Sequence, residues 1–394
     1  VATESYFDKP IFFLMRKATR YVALYGIRTT LTKVRAQFHM RAKVTFDGMG
    51  WDNPALRQSE HPDRFVGIIG CGTFAYAIVA DHLSRKAPHF LRGVYDVESA
   101  RAKSLCARYG GAYAANDPDT LINDPKIRLV YIASNHASHA EYAIKALRAG
   151  KHVHIEKPHV VTEDQLNRLN AAHRETGGMM FLGFNRPRSE HFRRIAKSLN
   201  AQSGPLMINW FIAGHEIAPG HWYFDEAEGG RVLGNLCHWT DLTLRLVGPE
   251  RAFPVDVVPV TAPGATSDFC VGFRFGDGSV GAITFSAKGH TFEGVREVLK
   301  VHRGDALVEM HDFKSSVVEV VEKKRRYVSL YRDHGHSANV LNSFEAARNG
   351  DESQSTSVEY SNATARLFLA TREALESGVI ISLHPEAELD IVAT

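Results

Sequence analysis

Residues 64–85 read RFVGIIGCGTFAYAIVADHLSR. RFVGIIG is an apolar run of strand length, and FAYAIVADHLSR reads as the helix after it. Between them Gly70-Cys71-Gly72-Thr73-Phe74-Ala75 fits the pattern GxGxxG/A. In that pattern the first glycine permits a tight turn, the second lets a pyrophosphate approach the backbone, and the small third residue allows close packing of helix on strand. The phosphate then sits on free N–H groups at a helix N-terminus. The spacing alone is a weak signal, but in a strand-turn-helix context it is good evidence for a dinucleotide site. Asp96 ends the next strand, FLRGVYD, where it would accept hydrogen bonds from the adenosine ribose. A carboxylate there repels a 2′-phosphate, so NAD is the expected cofactor. NADP is the alternative, which Arg101, one turn further on, would favour. The competing reading is a glycine turn in an α/β domain that binds nothing.

Working outward, strands and helices alternate. A helix through ESARAKSLCARYG stops at glycine, LVYIAS is a strand, and ASHAEYAIKALRAG is a helix with the same stop. KHVHIE, a helix opening at Thr162, and the strand MMFLGF follow. Strands separated by helices of this length imply a parallel sheet with right-handed crossovers. From about Gly204 the character changes. PLMINWFIAG, DFCVGFRF, GAITFSA and VLKVHRG are strand-like with few helices between them, and Gly276-Asp277-Gly278 marks a hairpin. The second half is therefore expected to hold an open, mainly antiparallel sheet. The expected divisions are an N-terminal extension over 1–62, a dinucleotide-binding Rossmann domain over 63–186, and a substrate and oligomerisation domain over 187–394.

Glu156-Lys157-Pro158 closes the strand KHVHIE. In an open α/β sheet ligands bind at the carboxyl ends of strands, and Lys and Glu are rarely buried unless paired. A solvated charge pair at a strand end is the competing reading. Ser134-Asn135-His136 ends LVYIAS, and His139 opens the next helix; polar groups at that edge would line the nicotinamide side of a cleft. For His139 a capping or solvent-facing role stands beside the functional one. Further on, GGRVLGNLCHWTDL contains His238 and Asp241, three apart and so on one face of a helix. A histidine can act as a general base near neutral pH, although such a pair on an apolar helix is more often structural. His215, Glu216, His221, Trp222 and Tyr223 lie just upstream as pocket candidates. Trp222 would either stack on a sugar face or pack in the core.

Composition sets outer bounds. The 394 residues, 44% hydrophobic and 23% charged, are those of a globular protein of two domains. A net charge of +3 gives no reason to expect nucleic acid as a partner. Cys71, Cys106, Cys237 and Cys270 are scattered without metal-ligand spacing, so no metal is expected and reduced thiols in a cytoplasmic protein are. The basic charge concentrates at the N-terminus, with ten Lys/Arg against five Asp/Glu through Pro62. The apolar run IFFLM ends at Arg16, far short of the roughly 20 residues of a membrane span, and no cleavage site of a secretory signal follows. Leu14, Ala18, Val22 and Tyr25, then Leu31, Val34 and Phe38, recur at helical spacing. That face is expected to bury against the protein's own surface or a second subunit of a homo-oligomer, dimer or tetramer. Rest on an anionic membrane is the alternative.

GCGTFA, SNHASHAEYAIKALRAGKHVHIEKP and the later FLGFNRPRSEHF together resemble the Gfo/Idh/MocA oxidoreductase family, over a stretch from about Arg64 to Leu383. The resemblance implies an N-terminal Rossmann domain coupled to a C-terminal α/β domain with a large open sheet. It implies oxidation or reduction of a hydroxyl on a sugar, sugar nucleotide or cyclitol, with NAD or NADP. Lys157 would be the catalytic-site lysine between the reacting hydroxyl and the nicotinamide, Glu156 would bind the nicotinamide ribose, and Pro158 would hold the turn through a cis peptide. An amine beside the substrate oxygen stabilises the alkoxide that develops as hydride leaves. Asn185 and Arg186 match a segment facing nicotinamide or substrate, with Arg188 directed to the same cleft. GGRVLGNLCHWTDL is similar to the family's Gly-Gly…Asp-x-x-x-His-x-x-Asp signature, which makes His238 the catalytic base and Asp241 its companion. The aspartate of that signature falls on Gly234 here. Its loss leaves open which group orients substrate; the neighbouring Asn235 can hydrogen-bond a sugar hydroxyl but cannot act as a base. Two alternatives accompany the dehydrogenase: a glycoside-cleaving or isomerising enzyme of the family that recycles its cofactor, and a non-enzymatic nucleotide-sensing regulator.

Overall fold

The computed structural model describes residues 9–42, 52–58, 60–217, 220–263, 265 and 267–385. Residues 1–8, 43–51 and Ser59 of the extension lie outside the described residues. Six strands form one parallel sheet: β1 (Val66–Ile69), β2 (Leu91–Tyr95), β3 (Tyr113–Ala114), β4 (Leu129–Ile132), β5 (His152–Ile155) and β6 (Met180–Leu182). Their order is β3-β2-β1-β4-β5-β6, that of a dinucleotide-binding Rossmann sheet. Every residue of β1, β4 and β6 is buried, which is why these strands read as unbroken apolar runs. The two-residue β3 is too short to leave a periodic signal, and the sequence does not announce it.

The crossover helices start and stop where local chemistry directs. Thr162 accepts a hydrogen bond from the Gln165 N–H at the head of Glu163–Thr176, satisfying one of the unpaired donors of a first turn. Ser99–Tyr109 ends on Gly110 in the left-handed conformation. The helix His136–Arg148 instead caps on Ala149, one residue before the glycine expected to stop it. Helix His336–Asn349 returns to this sheet late in the chain: Phe344 stacks on Phe65 at 5.1 Å, and the Tyr131 hydroxyl donates to the Val340 carbonyl at 2.7 Å.

The chain forms two compact units. The described residues of the first fall within Val1–Ser189, Gly220–Gly230 and Tyr331–Ala365; those of the second fall within Glu190–Pro219, Arg231–Leu330 and Arg366–Thr394. The first includes an N-terminal helix pair, α1 (Ile11–Tyr25) and α2 (Ile27–His39), broken at Gly26. The apolar face of α2 does not bury against the protein's own described surface. Leu31, Val34 and Phe38 are exposed, while Thr30, Thr32, Ala36 and His39 are buried. The inward face is the polar one because partners await it: the Thr32 hydroxyl donates to Asp81 Oδ1 at 3.3 Å, and His39 reaches the loop after β1.

The second unit is built on nine strands: β7 (Met207–Ala213), β8 (Val255–Pro259), β9 (Asp268–Phe275), β10 (Val280–Ser286), β11 (Arg296–Arg303), β12 (Ala306–His311), β13 (Ser315–Val320), β14 (Lys323–Val328) and β15 (Ile381–Leu383). They run in the order β14-β13-β12-β11-β7-β10-β9-β8-β15. The β7–β10 pair is parallel and the others antiparallel. Trp210 and Trp239 lie in its core; the Trp210 indole donates to Thr243 Oγ1 at 3.2 Å and that of Trp239 to Glu297 Oε1 at 3.0 Å. Lys323, Lys324, Arg325 and Arg326 stand exposed along edge strand β14, where charge discourages pairing with another chain.

Candidate active site

The loops after β1, β4 and β5 share the carboxyl edge of adjacent strands, the edge at which such sheets bind ligands. In the first loop Gly70 has φ 86°, and an added Cβ would lie 2.4 Å from the Ser134 nitrogen, so only glycine fits. At Gly72 a Cβ would meet no protein atom within 4 Å. Packing within the chain therefore does not require glycine there, whereas close approach of a pyrophosphate does. Ala75 is fully buried where the helix begins, and that helix opens with a π-helical turn over Ala75–Ala80. Asp96 accepts the Cys71 N–H at 2.6 Å on one oxygen and the Glu98 N–H at 2.8 Å on the other. These bonds fix the carboxylate and leave lone pairs on both oxygens for ribose hydroxyls. Arg101 lies in the first turn of the helix that follows. Thr73 and Phe74 complete the loop, and Phe74 meets the His336 ring edge-on at 5.7 Å. The residues present thus fit a dinucleotide.

After β5, Lys157 is the one residue of Val153–Val160 that is not buried. The Lys157–Pro158 peptide is cis. Its neighbours are tightly held. A Cβ on Gly183 would lie 2.8 Å from the Glu156 carboxyl carbon, so the glycine makes room for that side chain. The Glu156 carboxylate lies 3.5 Å from His154 Nε2, and His154 Nδ1 contacts Ser343 Oγ at 2.7 Å. His139 ties the turn to the β4 loop: Nδ1 lies 2.7 Å from the Pro158 carbonyl and Nε2 3.1 Å from that of Ser134. Burial pushes the His139 pKa down. A neutral ring has one N–H, and the shorter contact assigns it to Pro158.

In the β4 loop, Ser134 and Ser138 share a hydroxyl contact of 2.7 Å. Asn135 donates to Glu228 Oε1 and accepts from Ser138. His136 Nδ1–H donates to the Glu228 carbonyl at 2.9 Å, and burial first, then Lys157, pushes its pKa well down. Trp222 and Tyr223 each approach the His136 ring at 4.7 Å, with His221 beside them. Asn185 and Arg186 are buried after β6, and Arg188 is half-buried. The Asn185 amide already donates to the His334 carbonyl at 2.6 Å, which leaves its oxygen for another group.

In the second unit His238 is buried at the head of helix Cys237–Val247, directly after a π-helical stretch over Val232–Leu236. The fully buried Asp241 pairs with Arg245 at 2.9 Å. Gly234 is buried within the π-helical stretch. Asn235 Oδ1 accepts from Arg231 at 3.4 Å, and the same guanidinium donates to the His215 carbonyl. Glu216 belongs to the loop after β7.

Comparison with known proteins accords with this geometry. Residues 65–184 match the Gfo/Idh/MocA model, described as an oxidoreductase family with an NAD-binding Rossmann fold. Over this Rossmann segment the chain is similar to the Gfo/Idh/MocA oxidoreductase family. Among its relatives is myo-inositol 2-dehydrogenase of Thermotoga maritima, 27% identical over 267 residues, or 61% of this chain and 79% of that protein. Inositol 2-dehydrogenase of Ralstonia nicotianae is 32% identical over 212 residues, 51% of this chain and 60% of that one. An uncharacterised oxidoreductase of Bacillus subtilis, YrbE, is 30% identical, and the match spans 57% of its length. Levoglucosan dehydrogenase in complex with NADH and levoglucosan superposes with a TM-score of 0.69 at 19% identity, covering 80% of this chain and 98% of that one. The fold is shared at that distance.

Two further residues join the site without any sequence signal. His39, at the end of α2, donates from Nε2 to the Cys71 carbonyl at 2.7 Å and accepts at Nδ1 from Ser104 Oγ at 3.0 Å. Its ring stacks on Tyr76 at 4.3 Å. Burial lowers its pKa, in keeping with this neutral tautomer. Glu228 reaches the N-terminus of His136–Arg148, accepting the Ala137 N–H at 3.1 Å, where a carboxylate favours the helix dipole. Neither residue is close in sequence to the loop it holds.

Proposed function

We propose that the protein is an NAD(H)-dependent oxidoreductase that passes a hydride to or from a secondary hydroxyl or ketone of a sugar, sugar nucleotide or cyclitol. The observation that carries this reading is Lys157, half-exposed on a turn whose other residues are buried, at the sheet edge shared with the glycine loop. Bound NAD supplies the hydride acceptor. Gly70 to Ala75 bind its pyrophosphate, Asp96 its adenosine ribose, and Glu156 its nicotinamide ribose. Ser134, Asn135, His136, His139, Pro158, Asn185 and Arg186 shape the nicotinamide side, within a cofactor domain over 63–186. Lys157 holds positive charge against the substrate oxygen and relays its proton. His238, with Asp241, is a second proton-handling group, and Arg188, Trp222 and Asn235 contact substrate. The relatives named for inositol put cyclitols first in a substrate panel.

Lys157→Ala tests the assignment. NAD binding, followed by quenching of intrinsic fluorescence, is expected to stay near wild type while kcat falls roughly 10²–10⁴-fold. Wild-type-like turnover in that variant would sink the proposal. Gly234 supports a second reading, a nucleotide-sensing protein without turnover, because the carboxylate of the family signature is missing there. Binding of NAD with no reduction across a sugar and cyclitol panel selects that reading.

A further inference from the structure

α2 turns its polar face inward, and its outward face is an apolar stripe. Ile27, Leu31, Val34 and Phe38 are exposed by 64, 51, 43 and 60%. At 100° per residue these four positions fall within about 60° of one another around the helix, so they form one continuous strip. Ile11, Phe12 and Met15 at the start of α1 are exposed as well, by 72, 75 and 61%. An exposed apolar surface of this kind marks an interaction site. The charged residues of the helix pair itself are of a single sign. Residues 9–42 contain eight Lys/Arg and no Asp or Glu, and Arg16, Arg20, Arg28, Arg35 and Arg41 are all exposed.

We infer that this helix pair is a docking surface for an anionic lipid bilayer, on which α1 and α2 lie with the apolar strip in the acyl boundary and the arginines among the headgroups. The charge pattern selects this occupant. A second copy meeting the same face across a two-fold axis would set like charges against like around the strip, whereas an anionic headgroup layer pairs with every arginine. Apolar burial and cation attraction together are the two signals that stable peripheral binding needs. The attachment is peripheral: among the described residues no helix is long and apolar enough to cross a membrane.

The test is flotation of the full-length protein with vesicles of phosphatidylcholine alone or with 30% phosphatidylglycerol. Flotation with the anionic vesicles, at least tenfold less with the neutral ones, and release by 0.5 M NaCl are expected. Leu31→Ser/Phe38→Ser changes only exposed side chains, so NAD binding should be retained while flotation falls at least tenfold. No flotation with anionic vesicles overturns the inference, as does equal flotation with both lipids. Sedimentation velocity supplies the rival outcome: an oligomer dissociated by Leu31→Ser/Phe38→Ser, in a protein that does not float, assigns the strip to a second copy instead.

Discussion

Gly70 and Gly72 occupy one loop for different physical reasons, and substitution separates them. At Gly70 a Cβ meets backbone at 2.4 Å in a positive-φ conformation, so Gly70→Ala is expected to cost stability as well as binding. At Gly72 the Cβ has open space in the protein. Gly72→Ala should leave the thermal midpoint within the small range of surface substitutions, about 0.5 kcal/mol, yet weaken NAD on the order of tenfold by holding the pyrophosphate off the backbone. Calorimetric titration beside a melting curve checks both. Undiminished NAD affinity in Gly72→Ala would remove the pyrophosphate from this loop. The same contrast shows what was legible from sequence. The glycine spacing signals a phosphate loop because local geometry alone dictates it. Asp96, one strand further on, is placed against that loop by its bond to the Cys71 N–H.

At the scale of elements, legibility followed burial. The strands of the parallel sheet are buried and apolar, so they stand out as runs. By contrast β14, reading KKRRYV, is nearly all exposed and carries no strand pattern. The role of α2 was illegible because its inward face is polar and its partners lie far off in the chain: His39 meets Cys71, 32 residues later, and Thr32 meets Asp81, 49 later. This contact makes α2 a brace for the dinucleotide loop, since the Cys71 carbonyl is held by His39 and its N–H by Asp96. Loss of one such bond is worth about 1 kcal/mol. His39→Ala is therefore expected to raise the KM for NAD roughly fivefold with kcat at saturation unchanged. His39→Gln, which restores a donor, should recover part of the loss. A fall in kcat with unaltered KM would place His39 in the chemistry and not in the brace.

For the whole molecule, the buried and half-buried histidines make folding sensitive to mild acid. Burial pushes His82 down to about 4, His159 down to about 3, and His136 well below the usual histidine range. In the unfolded chain each titrates near 6.5. As pH falls through 6.5 the unfolded state takes up protons that the native state refuses, so native stability is full above that value and declines below it. The decline continues until each native pKa is reached, near 4 for His82. Between pH 7.5 and 5.5 each such histidine withdraws about 1.4 kcal/mol. These three together withdraw about 4 kcal/mol, a large part of the roughly 5–15 kcal/mol that holds a typical domain. That window lies above the ordinary carboxylate range, so paired acids such as Glu141, whose pKa Arg168 first holds down, contribute only at lower pH. Urea unfolding at pH 7.5, 6.5 and 5.5 should show midpoints that fall with pH at constant m-value. His82→Gln should flatten the dependence by about one proton's worth, 1.4 kcal/mol over the window. A midpoint that stays level to pH 5.5 would mean that these rings are already protonated or solvated in the native state, and that their burial is not what the packing around them implies.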